Sequence, residues 1–87
     1  MSAVNGQDRV TQVRQILKAH GRLGKDVEAL ADTADLYQAG MTSHASVNVM
    51  LALESTFDVE FPDHLLTRHV FGSISSIVGT IDGLSRS

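Results

Sequence analysis

The chain has 87 residues, the size of one small domain, and too few to enclose a large active-site cavity. Its net charge of −3 argues against a nucleic-acid partner, because that kind of binding rests on Lys and Arg neutralising phosphates. No apolar run approaches the ~20 residues that span a bilayer, so we expect no membrane partner. The absence of cysteine excludes disulfides and thiolate metal sites, and it fits a cytoplasmic location.

The first predicted element is an amphipathic helix over Asp8–His20. Its apolar residues recur at helical spacing and comprise Val10, Val13, Ile16 and Leu17. Gly21 is expected to end the helix. The basic side chains of Arg9, Arg14 and Lys18 fall on the opposite face, where we expect water to solvate them.

Residues 21–42 are predicted to form a long loop, because glycines punctuate the segment and its apolar residues are scattered. Val27 and Leu30 predict one short turn that is pinned to the core. Leu36 and Met41 predict two anchors at the end of the loop. A connection of this length inside a small domain is usually functional.

A second helix is predicted over Ser43–Phe57, and Asp58 begins the exit from it. Its core stripe is predicted to comprise Val47, Met50, Leu53 and Phe57, widened by Val49 and Leu51. Ser43 would then lie at the first turn of the helix, where the dipole and the outward N–H groups favour a phosphate.

The C-terminal part predicts two more helices. Pro62 stops any continuation of the second helix, and Asp63 is predicted to cap a short helix over His64–Arg68 that carries Leu65 and Leu66. Gly72 and Ser73 predict a break with a cap. The last helix is predicted over Ile74–Leu84 from its apolar spacing.

These elements together predict an all-α fold, since no segment alternates like a strand. The architecture expected is a small four-helix antiparallel bundle with three longer helices, one short helix and a long loop between the first two. The whole chain, 1–87, is expected to be one domain with its core at about 8–84.

Several runs around the second helix have a likeness to a known family. They are Asp35-Leu36, Gly40-Met41-Thr42-Ser43, Val47, Val49-Met50-Leu51-Ala52-Leu53-Glu54, Phe57-Asp58-Val59 and Phe61-Pro62-Asp63. On these residues the chain resembles the acyl and peptidyl carrier proteins, a family that includes stand-alone aminoacyl carrier proteins. The acyl-carrier type of helical bundle is the fold that this resemblance implies.

The resemblance implies a covalent prosthetic group. In that family a phosphopantetheinyl transferase moves 4′-phosphopantetheine from coenzyme A onto a serine that opens the second helix, and Ser43 matches this serine. Thr42 stands in the place of an aspartate that helps to position metal and serine during the modification. His44 stands in the place of an apolar residue that partners grip.

The function implied is that of an acyl or aminoacyl carrier, a monomer without catalytic residues. An acyl- or aminoacyl-activating ligase would load the arm, and an acyltransferase or synthase would take the group. Asn48 and Ser55 stand where carriers of fatty-acid synthases show acidic side chains. This argues against a role in fatty-acid synthesis and favours a dedicated partner, either an aminoacyl or acyl ligase or an enzyme of a secondary-metabolite pathway. The residues expected to contact partners are Met41, Thr42, His44, Val47, Asn48, Leu51 and Glu54.

Other interpretations of the same residues are a plain N-cap at Ser43, a helical interaction module without a prosthetic group, and a small hydrolase using Ser43. A metal site is not expected, because no two imidazoles fall at i, i+3 or i, i+4 on one helix. The histidines concerned are His20, His44, His64 and His69.

Overall fold

A computed structural model describes residues 6–24 and 26–85 of the chain. Its α-helices are α1 (Gly6–Ile16), α2 (Ser43–Phe57), α3 (Arg68–Phe71) and α4 (Ile74–Ser85). A π-helical turn, Leu17–Gly21, extends α1, and 3₁₀ turns lie at Val27–Ala29 and Asp63–Leu65. No strand is present in these ranges, and the prediction of an all-α bundle with three longer helices and one short one is confirmed.

The helices pack around one apolar core. Helix α1 contacts α4, α2 contacts α1 and the π-helical turn, and α3 contacts α4. Buried side chains from α1, the π-helical turn and α4 meet those of α2 in this core, among them Val13, Leu17, Val49, Leu53, Ile74, Ile77 and Ile81. Burial of this apolar surface is the main stabilising contribution to a bundle of this size.

The first helix ends differently from the prediction. It begins at Gly6, two residues before the predicted start, and after Ile16 it widens into the π-helical turn. The residue that stops it is Arg22, whose φ of 53° is left-handed, and not the expected Gly21. Gly21 is instead the last residue of the turn and is buried. A π-type turn inserts one extra residue per turn, and the sequence carries no separate signal for it.

The long loop is tied to the core at the predicted anchors. Val27, Leu36 and Met41 are all buried. Arg14, which we expected to be solvated, donates a hydrogen bond of 2.6 Å to the carbonyl oxygen of Val27 and pairs with Asp32 at 2.6 Å. The basic face of α1 therefore holds the first half of the loop.

The second half of the loop is fixed to the junction between α3 and α4. The amide of Leu36 donates to the carbonyl oxygen of Gly72 at 2.7 Å. The amide of Ser75 donates to the carbonyl oxygen of Asp32 at 2.9 Å. These two hydrogen bonds bring the segment that precedes α2 close to the end of α3 and the start of α4. The position of the start of α2 relative to α3 depends on this proximity.

Gly40 makes the last bend before α2 possible. Its φ of 119° lies in the region that side chains disfavour, and an added Cβ would lie 2.8 Å from the amide nitrogen of Gly24. That amide donates to the carbonyl oxygen of Ala39 at 2.9 Å. The loop segments around Gly24 and Gly40 therefore approach each other so closely that a side chain at residue 40 would not fit.

The face that α2 turns to the core differs from the predicted stripe. The buried residues are Ala45, Val49 and Leu53, which follow one another at intervals of four. Val47 and Leu51 are 51% and 53% exposed, although the prediction placed both in or beside the stripe. Met50 and Phe57 are only half-buried. Because α2 is apolar on most of its circumference, the sequence pattern alone does not select the buried side.

The short helix predicted over His64–Arg68 is wrong in position. The chain forms the 3₁₀ turn Asp63–Leu65, leaves helical geometry at Leu66, and starts α3 at Arg68. The expected cap at Asp63 is absent, since the capping position is Pro62 and has no side-chain bond.

The cap that starts α3 is Thr67. Its hydroxyl oxygen accepts a hydrogen bond of 3.2 Å from the amide of Val70. This position lets Val70 and Phe71 enter the core, where the ring of Phe71 lies 5.3 Å from that of Phe61. Leu66, which the prediction placed on the helix, stays 44% exposed. Burial of these two apolar side chains explains why α3 begins four residues later than expected.

The last helix matches its prediction. Ser73 caps it, since its hydroxyl oxygen accepts from the amide of Ser76 at 3.2 Å. The helix runs Ile74–Ser85, one residue beyond the predicted end.

Replacing Gly79 with Ala should stabilise the bundle. Gly79 lies inside α4, and apart from its chain neighbours and the backbone of its own helix no described atom comes within 4 Å of an added Cβ. The change should raise the free energy of unfolding by ~0.5–1 kcal/mol, because glycine loses more backbone entropy in a helix than alanine does. Thermal unfolding followed by circular dichroism measures the effect. Gly72→Ala is the matched control and should lower the melting temperature, because its Cβ would lie 2.8 Å from the carbonyl oxygen of Arg68.

Candidate functional site

Ser43 is the first residue of α2, and the residue before it makes the cap. The hydroxyl oxygen of Thr42 accepts a hydrogen bond of 3.0 Å from the amide of Ala45. The interpretation of Ser43 as an N-cap is therefore wrong. Its own side chain is exposed, and within the described ranges its hydroxyl makes no hydrogen bond. Because Thr42 caps the helix, the start of α2 does not depend on the Ser43 hydroxyl.

The first turn of α2 is closed by its own polar groups. The hydroxyl of Ser46 donates to the carbonyl oxygen of Ser43 at 2.7 Å. The amide of Ser46 donates to the carbonyl oxygen of Thr42 at 2.9 Å. Helix N-termini carry partial positive charge from their aligned peptide dipoles. A negative group on the Ser43 oxygen would therefore be stabilised by the helix that presents it.

A tight turn before α2 fixes the backbone at Tyr37. The carboxylate of Asp35 accepts from the amides of Tyr37 and Gln38 at 2.9 and 3.3 Å. The amide of Met41 then donates to the carbonyl oxygen of Leu36 at 3.0 Å. The hydrogen bonds position the turn rigidly beside the start of α2.

An open cleft of about 490 Å³ lies between the start of α2 and the segment around α3. We call it the Ser43 cleft, and its lining comprises Tyr37, Ser43, Ser46, Val47, Met50, Leu66, Thr67, Arg68 and Phe71. The proximity of Ser43 to residues of the α3 region follows from the hydrogen bonds that tie the loop to the α3–α4 junction. A group attached to Ser43 would start in this cleft.

Arg68 and Tyr37 form a stacked pair in the Ser43 cleft. The guanidinium carbon of Arg68 lies 4.3 Å from the centre of the Tyr37 ring, a cation–π contact. The sequence interpretation missed both residues as parts of the site, because it placed Arg68 at the end of the short helix. The sequence does contain a signal for this position in Thr67. A threonine can cap a helix, and a cap at Thr67 places Arg68 in the first turn of α3.

A second cavity of about 500 Å³ lies along another side of α2. It is lined by His20, Asn48, Leu51, Ala52, Ser55 and Thr56. The π-helical turn contributes His20 to it, so both cavities border α2 but share no residue.

Comparison with known proteins decides the family. The model of a family described as "Phosphopantetheine attachment site" matches residues 12–81, a segment that contains α2 and the Ser43 cleft. The chain belongs to this family of carrier proteins. The prediction of a carrier protein with a covalently attached phosphopantetheine is thereby confirmed.

Individual relatives agree with this family. An aminoacyl carrier protein from Agrobacterium fabrum is 51% identical over 69 residues, which cover 79% of this chain and 83% of the relative. In a crystal structure of an engineered Bradyrhizobium japonicum glycine:[carrier protein] ligase with a carrier protein from Agrobacterium tumefaciens and AMP, the matching chain superposes with a TM-score of 0.81 at 48% identity. The match covers 84% of this chain and 97% of the other.

A solution structure from Agrobacterium tumefaciens also matches this carrier protein. The TM-score is 0.72 at 45% identity, with 88% of this chain and 93% of the other covered. These likenesses do not favour the interpretation as an interaction module without a prosthetic group.

Several of the residues that we expected to contact partners of the carrier border two different cavities. Thr42, His44, Val47 and Leu51 are exposed, and Asn48 is half-buried. Val47 lines the Ser43 cleft, whereas Asn48 and Leu51 line the second cavity.

Two of the expected contact residues have internal roles in the carrier. Met41 is only 3% exposed and belongs to the core cluster, so its expected role as a partner contact is corrected to that of a core anchor. Glu54 is half-buried, and its carboxylate accepts a hydrogen bond of 2.8 Å from the amide of Phe61. It therefore ties the end of α2 to the segment that follows it, which reduces what it can offer to a partner.

Among the described residues of the carrier, no group of three or more His, Asp or Glu side chains is placed to hold a metal ion. None of the described helices is both long and apolar enough to cross a membrane.

The Ser43 cleft suits the root of a phosphopantetheine arm. Ser43 offers an exposed hydroxyl, Arg68 offers a positive charge, and no carboxylate lines the cleft. A phosphodiester at this position would meet the N-terminus of α2 and a guanidinium, both of which favour negative charge.

Proposed function

We propose that this chain is an aminoacyl carrier protein whose Ser43 bears the 4′-phosphopantetheine arm. The observation that carries the proposal is the placement of Ser43, whose exposed hydroxyl opens α2 while Thr42 does the capping. Ser43 also lies within the segment that matches the phosphopantetheine attachment family. The 51% identity to an aminoacyl carrier protein supports an aminoacyl group as the cargo.

Ser43 acts in this proposal as an acceptor and not as a catalyst. A serine hydroxyl is a weak nucleophile unless a base removes its proton, and within the described ranges no imidazole or carboxylate hydrogen-bonds to it. The base is therefore supplied by the phosphopantetheinyl transferase, which uses coenzyme A as donor. When bound, the arm supplies a terminal thiol that holds an aminoacyl group as a thioester.

The partner proposed for loading is an amino acid:[carrier protein] ligase, because relatives of this chain occur in complex with a glycine:[carrier protein] ligase. The surface proposed for it comprises Thr42, His44, Val47, Asn48 and Leu51. Val47 and Leu51 are large apolar side chains at 51% and 53% exposure on one helix, which is typical of contact surfaces.

The remaining features of the proposal rest on the sequence. The chain acts as a monomer in the cytoplasm, forms one domain over 1–87, and has no turnover of its own. A downstream acyltransferase or synthase takes the aminoacyl group from the arm.

Loading of the holo form tests the function. The chain is first treated with a broad-specificity phosphopantetheinyl transferase, coenzyme A and magnesium, and then with a glycine:[carrier protein] ligase, glycine and ATP. We expect the holo form to gain one glycine in an ATP-dependent reaction and the apo form to gain none, as measured by intact mass. The Agrobacterium tumefaciens carrier protein serves as positive control. Failure of the holo chain to load, while that control loads, would refute glycine as its cargo.

The same assay tests the proposed contact surface. Leu51→Asp should raise the KM of the ligase for the holo chain about tenfold, because loss of an apolar contact at an interface costs ~1 kcal/mol or more. Gln15→Asp, at an exposed position on α1, adds the same charge and should leave KM unchanged. Equal KM values for the two variants would remove Leu51 from the ligase contact.

A further inference from the structure

Arg68 lies in the cleft that Ser43 opens into, and it takes part in no ion pair among the described residues. We propose that the guanidinium of Arg68 pairs with the phosphodiester that joins the pantetheine arm to Ser43, as a positioning residue for the root of the arm. The inference rests on the proposed attachment at Ser43 and adds a residue that the family assignment does not identify.

The charges of the arginines support this role. Arg9 pairs with Asp82, and Arg14 pairs with Asp32. Arg68 makes no ion pair or hydrogen bond through its side chain within residues 6–24 and 26–85. A phosphodiester is an anion that a planar guanidinium can bind with two parallel N–H donors.

The stacking on Tyr37 prepares Arg68 for this contact. The guanidinium carbon of Arg68 lies 4.3 Å from the centre of the Tyr37 ring, and within the described ranges none of the guanidinium N–H groups donates a hydrogen bond. Tyr37 is in turn held by the turn that Asp35 closes, whose carboxylate accepts two amide hydrogen bonds. The pair is therefore oriented before any phosphate is present, which reduces the entropy lost when the contact forms.

One carboxylate could compete with the phosphate. Asp35 lines a neighbouring cavity of about 260 Å³ together with Tyr37 and Arg68. Its Oδ1 accepts hydrogen bonds from the amides of Tyr37 and Gln38, and among the described residues neither oxygen of Asp35 forms an ion pair with Arg68. The Ser43 cleft itself contains no acidic side chain, so a phosphodiester there is the favoured anion for Arg68.

Phosphorus and nitrogen NMR of the holo chain test the inference. In the wild type, attachment of the arm should shift the Nε–H resonance of Arg68, while those of the already paired Arg9 and Arg14 change less. Arg68→Gln should move the ³¹P resonance of the phosphodiester towards that of a phosphopantetheinylated peptide copying residues 40–47. High salt should cause a similar shift in the wild type, because exposed ion pairs are screened.

The controls separate charge from packing. Arg68→Lys keeps the positive charge but lacks the paired N–H donors of a guanidinium, and it should keep part of the ³¹P shift. Lys18→Gln removes an exposed cation outside the cleft and should leave the ³¹P resonance unchanged. Circular dichroism confirms that each variant is folded. An unchanged ³¹P resonance in folded Arg68→Gln would overturn the pairing while the attachment stands. Absence of any adduct on wild-type Ser43 would overturn both proposals.

Discussion

Ser43→Ala should abolish phosphopantetheinylation completely. The acceptor in the proposed reaction is the Ser43 oxygen, and alanine has no atom that could take its place. Another serine in the same turn is Ser46, whose hydroxyl donates to the carbonyl oxygen of Ser43. Intact mass after incubation with transferase, coenzyme A and magnesium measures the loss, and we expect no adduct even after prolonged reaction.

The variant should remain folded, which makes its result interpretable. Thr42 caps α2, so removal of the Ser43 hydroxyl costs no capping bond and should change the free energy of unfolding by less than ~0.5 kcal/mol. Ser46→Ala, the matched control in the same turn, should still accept one arm. An adduct that persists in Ser43→Ala would place the attachment at another residue, although membership of the family would be unaffected.

Leu53→Ala should be the most destabilising single truncation on α2. Leu53 has no exposed surface and lies in the core between α2 and its neighbours. Truncation of a buried leucine to alanine typically costs ~2–5 kcal/mol, because it removes apolar contacts and leaves a cavity. That is a large part of the ~5–15 kcal/mol by which small domains are stable. Urea unfolding at equilibrium measures the difference.

Leu51→Ala provides the comparison on the same helix. Leu51 is the same residue type two positions earlier, but its side chain is 53% exposed. Its truncation should change the free energy of unfolding by only ~0.5 kcal/mol, as is usual for surface positions. Equal destabilisation by the two variants would mean that α2 buries a different face from the one described.

The second helix and its serine could be predicted from the sequence because their signals are local. Helix α2 runs Ser43–Phe57 as predicted, since Thr42 can cap its start and Asp58 adopts the left-handed φ of 55° that ends it. Ser73 likewise marks the start of α4. Capping depends on residues within one turn of each other, so sequence order alone brings the partners together. The carrier family followed from the runs of residues around the same helix.

The arrangement around Ser43 required the tertiary structure. Apolar residues surround most of α2, so only its contacts with α1 and the π-helical turn decide that Val49 is buried and Val47 is exposed. The start of α3 moved to Arg68 because Val70 and Phe71 had to reach the core.

The sequence by itself determined that this is an all-helical carrier with a serine at the N-terminus of α2. Only the folded chain decided that Tyr37 and Arg68 stack beside that serine, because they are far apart in sequence and meet through the hydrogen bond between Leu36 and Gly72. Local signals act within a turn of helix. Contacts between distant segments depend on which apolar faces pack together, and a single sequence with several such faces does not specify that choice by pattern alone.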